Sequence, residues 1–220
     1  MATPTVCFTF DHLGDLGPFF GLLEKHGLTG TFFVQGELAA RDPGAAAEIV
    51  RRGHHVGMHG WAHEAWADLG ADEERELALR ATAAIADATG TQPEGFRAPE
   101  GSRSEHTAGL LTDLGYRYDA SLGEAMTPAV LEGGVAQVPF VWDGVDGAYY
   151  LRPDPADPAE VRERWLGAIG DDLFVPICHP EITGSSDERL AVLDEVMATA
   201  LADERVRVCT VAEVADEVLA

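Results

Sequence analysis

The sequence predicts an α/β fold, with parallel strands inside, helices outside, and closure or near closure into a barrel. Three observations lead there. Short apolar, β-branched or aromatic runs alternate with longer helical patterns along the chain, the pattern of βα units around a parallel sheet. Seven or eight such units follow one another without a break in composition, so the 220 residues are expected to form one domain over 1–220. Asp11, His12, His59, Arg97, Asp119 and His179 all fall late in or just after expected strands, and a β/α barrel collects its chemistry at the carboxyl ends of its strands.

Each element has its own signal. Residues 6–10 and 31–34 are strand-like runs of valine, threonine and phenylalanine, separated by a helix over 17–26. Residues 38–52 read as a helix with an apolar interior, and 55–59 as a third strand. Residues 72–89 carry the strongest helical pattern, with acidic residues in the first turn and Gly90 just past the end. A short strand over 95–97 and a helix over 104–114, ended by Gly115, come next. Residues 116–121 and 135–141 continue the strands. Residues 142–158, rich in Gly, Pro and Asp, are expected as a long loop over the site. A helix over 158–168, a strand over 173–178, an amphipathic helix over 186–201 and a last strand over 206–209 follow. Thr210 then caps a closing helix over 211–219.

Composition excludes several function classes. The net charge is −23, from 15 basic and 38 acidic residues, and such a field repels nucleic acid and anionic membranes. No apolar run approaches the ~20 residues that a membrane span needs. The amino-terminal stretch Met1-Ala2-Thr3-Pro4-Thr5 has no basic n-region and runs straight into the first strand, so a cytoplasmic location is expected. Cys7, Cys178 and Cys209 have no close spacing and sit in β-like runs, where reduced, buried thiols are expected. Cys178 and His179 adjoin on a strand and so face opposite sides, which rules against a nucleophile–base pair. No glycine-rich phosphate loop follows a strand, which argues against nucleotide binding.

The most informative segment is His59-Gly60-Trp61-Ala62-His63. Histidines four apart share one face of a helical turn, so both imidazoles can reach one divalent ion. The segment is expected to open a loop or helix after the third strand. A zinc-type hydrolase needs three protein ligands with one open position, a base for water, and an acid for the departing amine. His59 and His63 supply two ligands, Asp11 and His12 offer the third ligand and the base, and His179, expected across the barrel, offers the acid. Trp61, Trp142, Tyr149 and Tyr150 are candidates to line a cleft, and Asp143 and Asp146 to touch substrate. His54 and His55 are expected at a strand edge or behind the site, and His26 and His106 in solvent.

Four motifs in order resemble the polysaccharide deacetylase family, the NodB-homology or carbohydrate esterase 4 group. Thr9-Phe10-Asp11-His12 resembles its first motif, TFDD, and His59 to His63 its H-x-x-x-H. Arg97-Ala98-Pro99-Glu100-Gly101 resembles its R-x-P-x-G. Val175-Pro176-Ile177-Cys178-His179-Pro180 resembles its final motif, a histidine ending a late apolar strand. The resemblance covers residues 5–215 and implies a distorted (β/α)7 barrel of NodB-homology type. It also implies metal-dependent hydrolysis of an amide, typically an N-acetyl group on a sugar. Carried over, Asp11 is the base, Arg97 holds and tunes it, His179 is the acid, and His59 and His63 bind the metal.

His12 stands where the family has its second, metal-binding aspartate. A three-histidine set suits zinc and carries one ligand charge fewer; a weak or absent metal is the competing reading. Asp15 is a further candidate ligand. The HGWxH form and the His179-Pro180-Glu181 ending look closer to the branch of peptidoglycan deacetylases and allantoinase-like proteins. The expected function is therefore hydrolysis of carbon–nitrogen bonds with a divalent cofactor, Zn2+ first, on an N-acetylated small molecule or short saccharide. A cyclic amide or ureide hydrolase and a catalytically silent binding domain are the alternatives.

Overall fold

Alternation along the first strand sets the architecture, because successive side chains on a strand face opposite sides. Val6, Phe8 and Phe10 join the larger apolar core beneath the helices, whereas Cys7 joins an inner core with Phe33, Tyr118 and Ile177. The computed structural model describes residues 3–123 and 126–220; Met1 and Ala2, part of the amino-terminal stretch read above, lie outside the described residues.

The strands are β1 (Thr5–Val6), β2 (Thr9–Asp11), β3 (Thr31–Val34), β4 (His55–Met58), β5 (Gly95–Phe96) and β6 (Tyr118–Asp119), then β7 (Ala129–Val130), β8 (Ala136–Gln137), β9 (Leu173–Phe174), β10 (Ile177–Cys178) and β11 (Arg207–Val208). Eight of them form one sheet in the order β10-β2-β3-β4-β5-β6-β8-β7. All its pairings are parallel except β7 with β8. β1 and β9 extend β2 and β10 at their feet: Cys7 N donates to the Phe174 carbonyl and Thr9 N to the Pro176 carbonyl across the join. The last strand, β11, pairs with β1 rather than entering the larger sheet. Between β8 and β10 the curled sheet is joined by an isolated parallel bridge from Val145 to Ile177. This is the expected barrel, distorted where one bridge replaces a ladder.

Helices follow the strands: α1 (Gly17–His26), α2 (Gly36–Arg41), α3 (Pro43–Arg51), α4 (Ala71–Thr89), α5 (Thr107–Asp113), α6 (Asp146–Tyr150), α7 (Pro158–Ala168), α8 (Asp187–Ala202) and α9 (Val211–Leu219). The single helix expected over 38–52 is two. Pro43 lacks an N–H and disfavours helical backbone in the residue before it, so Asp42 sits at φ −131° and ψ 76°. Its carboxylate accepts from Ala45 N at 3.0 Å and caps the second helix. The loop expected over 142–158 contains a 3-10 turn at Trp142–Gly144 and the five residues of α6, too few for a helical period to be read. Thr210 caps α9 as expected, in a reciprocal capping box with Glu213.

The inner core fixes two glycines. A Cβ on Gly57 would meet the Phe33 ring at 2.5 Å, and one on Gly95 would overlap the Tyr118 ring. Both residues lie on the same side of the sheet as Asp11, and their missing side chains leave room for Phe33 and Tyr118 to fill the barrel. No helix among the described residues is long and apolar enough to cross a membrane. The cysteines are free, and Cys7 and Cys178 are buried as expected, but Cys209, in the edge-strand region before α9, is only half-buried, and its sulfur lies 4.0 Å from that of Cys7.

Candidate functional site

β2, β4, β5 and β10 deliver their last inward-facing positions to one end of the barrel, and Asp11, His59, Arg97 and His179 occupy them. Asp11 is buried at the end of β2. Arg97 Nη1 donates to its Oδ1 at 2.7 Å and to Thr9 Oγ1 at 3.0 Å, while Arg97 Nε donates to the Ala120 carbonyl at 2.9 Å. The guanidinium carbon lies 4.2 Å from the Phe33 ring centroid. Burial would raise the Asp11 carboxyl, but the charge and hydrogen bond of Arg97, together with His59 and His179 nearby, reverse this and hold it below the ordinary carboxylate value. Asp11 is therefore a buried, ionised carboxylate with its orientation fixed.

Beside it, His12, His59 and His63 each offer a nitrogen, all within 4.8 Å of one another. His59 Nδ1 donates to the Arg97 carbonyl at 2.9 Å, which leaves Nε2 for the cluster. Burial, with His12 and His63 nearby, pushes the His59 imidazole down to about 3, and burial and His12 also lower His63. His12 Nδ1 lies 2.5 Å from Glu181 Oε1, and its Nε2 is buried without a hydrogen-bond partner. The His59 and His63 imidazoles, kept neutral, together with the buried, unpartnered Nε2 of His12 are the donor set of a borderline-soft divalent cation. The residues present fit such an ion.

The HxxxH segment reaches this point without being helical. Gly60 at φ 69° and His63 at φ 67° turn the chain after β4. The Glu64 carboxylate accepts from Trp61 N at 3.0 Å and Ala62 N at 2.8 Å, which holds the turn. His12, His63 and Glu100 are the non-glycine residues at positive φ among those described, and all three line one cavity. Such backbone costs on the order of 1 kcal/mol or more per residue and clusters at functional sites.

His179 follows β10, and β10 pairs with β2. The expected position across the barrel is thus corrected: His179 stands beside His12, with ring centroids 4.8 Å apart. Closure of the sheet brings the late strand back to the first. Its Nδ1 lies 2.5 Å from Asp146 Oδ1, while Asp146 Oδ2 accepts from His179 N at 2.8 Å and Thr183 Oγ1 at 2.7 Å. Burial would lower the imidazole, yet the Asp146 hydrogen bond and charge, with Asp11 and Glu181 nearby, together outweigh it and raise His179 to about 9. Asp146, considered above only as a substrate contact, is the buried partner of His179. Its adjacency is purely tertiary, across 33 positions.

The remaining candidates divide. Trp142 lines the cavity, whereas Tyr149 and Tyr150 are buried in the core and Trp61 lies under the Arg80 guanidinium at 3.7 Å. Asp119 is buried against Arg103 and Ser121, and Asp15 Oδ1 accepts from Gly17 N at 3.1 Å at the start of α1; neither lines the cavity or joins the histidine cluster. His54 stacks on Phe20 away from the cluster. His106 is exposed, but His26 is not free in solvent: its Nε2 lies 2.7 Å from Asp194 Oδ1 on α8. The cavity encloses about 360 Å³, with Phe140, Trp142, Val145, Leu151, Ile177 and Ile182 forming apolar walls.

A curled parallel barrel that gathers an ionised aspartate, a histidine–aspartate pair and a histidine cluster at its strand ends has the layout of a hydrolase. The family model for polysaccharide deacetylase matches residues 1–118, and the chain belongs to that family. It is 24% identical over 239 residues to a peptidoglycan deacetylase of Helicobacter pylori, covering 90% of this chain and 81% of that one. Among solved structures it is similar to a candidate polysaccharide deacetylase of Mycobacterium smegmatis, with 29% identity, a TM-score of 0.89, and coverage of 99% and 90% of the two chains. The Puue allantoinase shares the fold, at 16% identity and a TM-score of 0.85 over 98% of this chain and 90% of that one.

Proposed function

We propose that this chain is a divalent-metal-dependent amidohydrolase that removes the acetyl group from an N-acetylated sugar or small metabolite. The observation that carries this reading is the convergence of three histidine nitrogens within 4.8 Å beside the Asp11–Arg97 ion pair. His12, His59 and His63 would hold the cation, with Zn2+ the best match to three neutral nitrogen donors. Such a cation, when bound, would polarise the amide carbonyl and acidify water.

The chain's own residues supply the proton traffic. Asp11, kept ionised by Arg97, accepts the proton of the attacking water at its carboxylate. Arg97 has its Nε and Nη1 hydrogens engaged and keeps Asp11 in one orientation. His179 is protonated at neutral pH and bonded to Asp146 through Nδ1, so Nε2 carries the proton available to the departing nitrogen. The apolar walls limit water around the reacting atoms and receive the acetyl methyl.

A cyclic amide or ureide substrate is the second reading. The cavity of about 360 Å³ accommodates a small ring as readily as one sugar unit. Acetate release from N-acetylated sugars, and ring opening of cyclic amides and ureides, measured with zinc and with chelator, tests the proposal. Zinc-dependent acetate release supports it; ring opening alone selects the second reading. Binding without turnover of either class would mean a silent domain.

A further inference from the structure

We propose that Glu181 is a positioning residue that makes His12 a metal ligand. The inference rests on the three-histidine reading above. An imidazole can ligate through either nitrogen, and which one is available depends on the bond the other makes. His12 Nδ1 faces Glu181 Oε1 at 2.5 Å, while Nε2 is buried without a partner and His12 belongs to the cluster with His59 and His63. A carboxylate accepting the Nδ1–H fixes the proton there and frees the Nε2 lone pair. The same contact places a negative charge behind a neutral ligand, in a motif where the resembled family has an aspartate ligand. His59 is held in the corresponding way by the Arg97 carbonyl at 2.9 Å, an uncharged acceptor. Glu181 lies two residues beyond His179, so β10 supplies both the acid and this support, and the pairing of β10 with β2 brings it to His12.

The test is zinc affinity, measured by competition with a chromophoric chelator, on the wild type, Glu181→Ala, Glu181→Gln, His12→Asp and the His12→Asp/Glu181→Ala double variant. Native far-UV circular dichroism and an unchanged thermal transition are required of each. Glu181→Ala should weaken zinc roughly 10–100-fold, the usual cost of losing a carboxylate behind a histidine ligand. Glu181→Gln, whose amide oxygen still accepts the Nδ1–H, should recover part of that loss. An aspartate at position 12 needs no imidazole orientation, so in that background the alanine substitution should change affinity less than about threefold. Long-range 1H–15N spectra of the zinc-free wild type should show His12 protonated at Nδ1, and Glu181→Ala should release that preference. Unchanged affinity in Glu181→Ala, or an equal loss in the His12→Asp background, would overturn the role of Glu181 while leaving the metal reading intact. Zinc binding by neither the wild type nor His12→Asp would overturn the metal reading and the ligand role together.

At the opposite end of the barrel, the register pairs Val6 with Val208, and the next residues, Cys7 and Cys209, have sulfurs 4.0 Å apart. We infer that these two thiols form a disulfide when an organic disulfide such as oxidised glutathione reaches them. Cys209 is half-buried and Cys7 buried, so Cys209 is the entry point. Its thiolate attacks one sulfur of the oxidant and expels one thiolate; Cys7 then attacks the Cys209 sulfur of the mixed disulfide and expels the second. The two thiol protons end on the two reduced oxidant molecules. The bond would staple β11 and α9 to the first strand. Intact mass after oxidation should fall by two hydrogens, with a peptide linking residues 7 and 209, and the thermal midpoint should rise by several degrees. Cys209→Ser should show neither change. A persistent mixed disulfide, no reaction, or a bond between two chains would each overturn the inference.

Discussion

Replacing Asp146 with Asn isolates the charge that sustains His179. Its Oδ1 faces His179 Nδ1, and its Oδ2 accepts from His179 N and Thr183 Oγ1. Burial opposes protonation of His179, yet the Asp146 hydrogen bond and charge, foremost among the nearby carboxylates and joined by Asp11 and Glu181, raise it from an ordinary 6.5 to about 9. That gap corresponds to on the order of 3 kcal/mol of coupling between protonation and folding. Because the folded value is raised, this stability is fully present below about 6.5 and is lost as pH rises through about 9. Urea unfolding of wild type and Asp146→Asn, both with chelator so that no cation contributes, should show a difference that shrinks by about that amount between about pH 6 and about pH 10. A constant remainder should persist at high pH, from the backbone and Thr183 hydrogen bonds. A difference independent of pH would refute the claim that the carboxylate acts by holding His179 protonated. The alkaline limb of activity should also move to lower pH in the variant.

Asp11→Asn should keep the fold and the cation while cutting turnover by at least ~10²-fold, the low end for losing a general base; near-normal turnover would exclude Asp11 as the base. His179→Ala should lower turnover without releasing metal, most for alkyl amine leaving groups and least for activated anilides. Equal losses on both substrate types, with lost metal, would make His179 a ligand. Gly95→Ala places a methyl against the Tyr118 ring and should destabilise the protein by roughly 1–3 kcal/mol through overpacking, read as a lower urea midpoint at unchanged slope.

Local pattern carried much of this structure, and tertiary closure carried the rest. The expected strands over 31–34 and helix over 17–26 recur with the same bounds, because apolar runs and helix ends are local signals. Asp11, His59 and Arg97 could be grouped from sequence because strand parity and strand ends are both readable. The break at Asp42-Pro43 was readable too, but the apolar periodicity on either side concealed it. The position of His179 beside His12 is not legible locally, because no local signal says that β10 returns to pair with β2. Asp146 and Glu181 could not be assigned their partners for the same reason: Asp146 meets His179 across 33 positions and Glu181 meets His12 across 169. The HxxxH spacing suggested convergence for a helical reason, yet a turn held by Glu64 achieves it.

The metal content of purified wild type and His63→Ala, measured by elemental analysis after dialysis, tests the central claim most directly. His12, His59 and His63 as the ligand set predict about one divalent ion per wild-type chain, zinc foremost, and its loss from His63→Ala with the fold retained. Undiminished metal in His63→Ala, or a wild type that takes up no divalent ion when zinc is supplied, would contradict it.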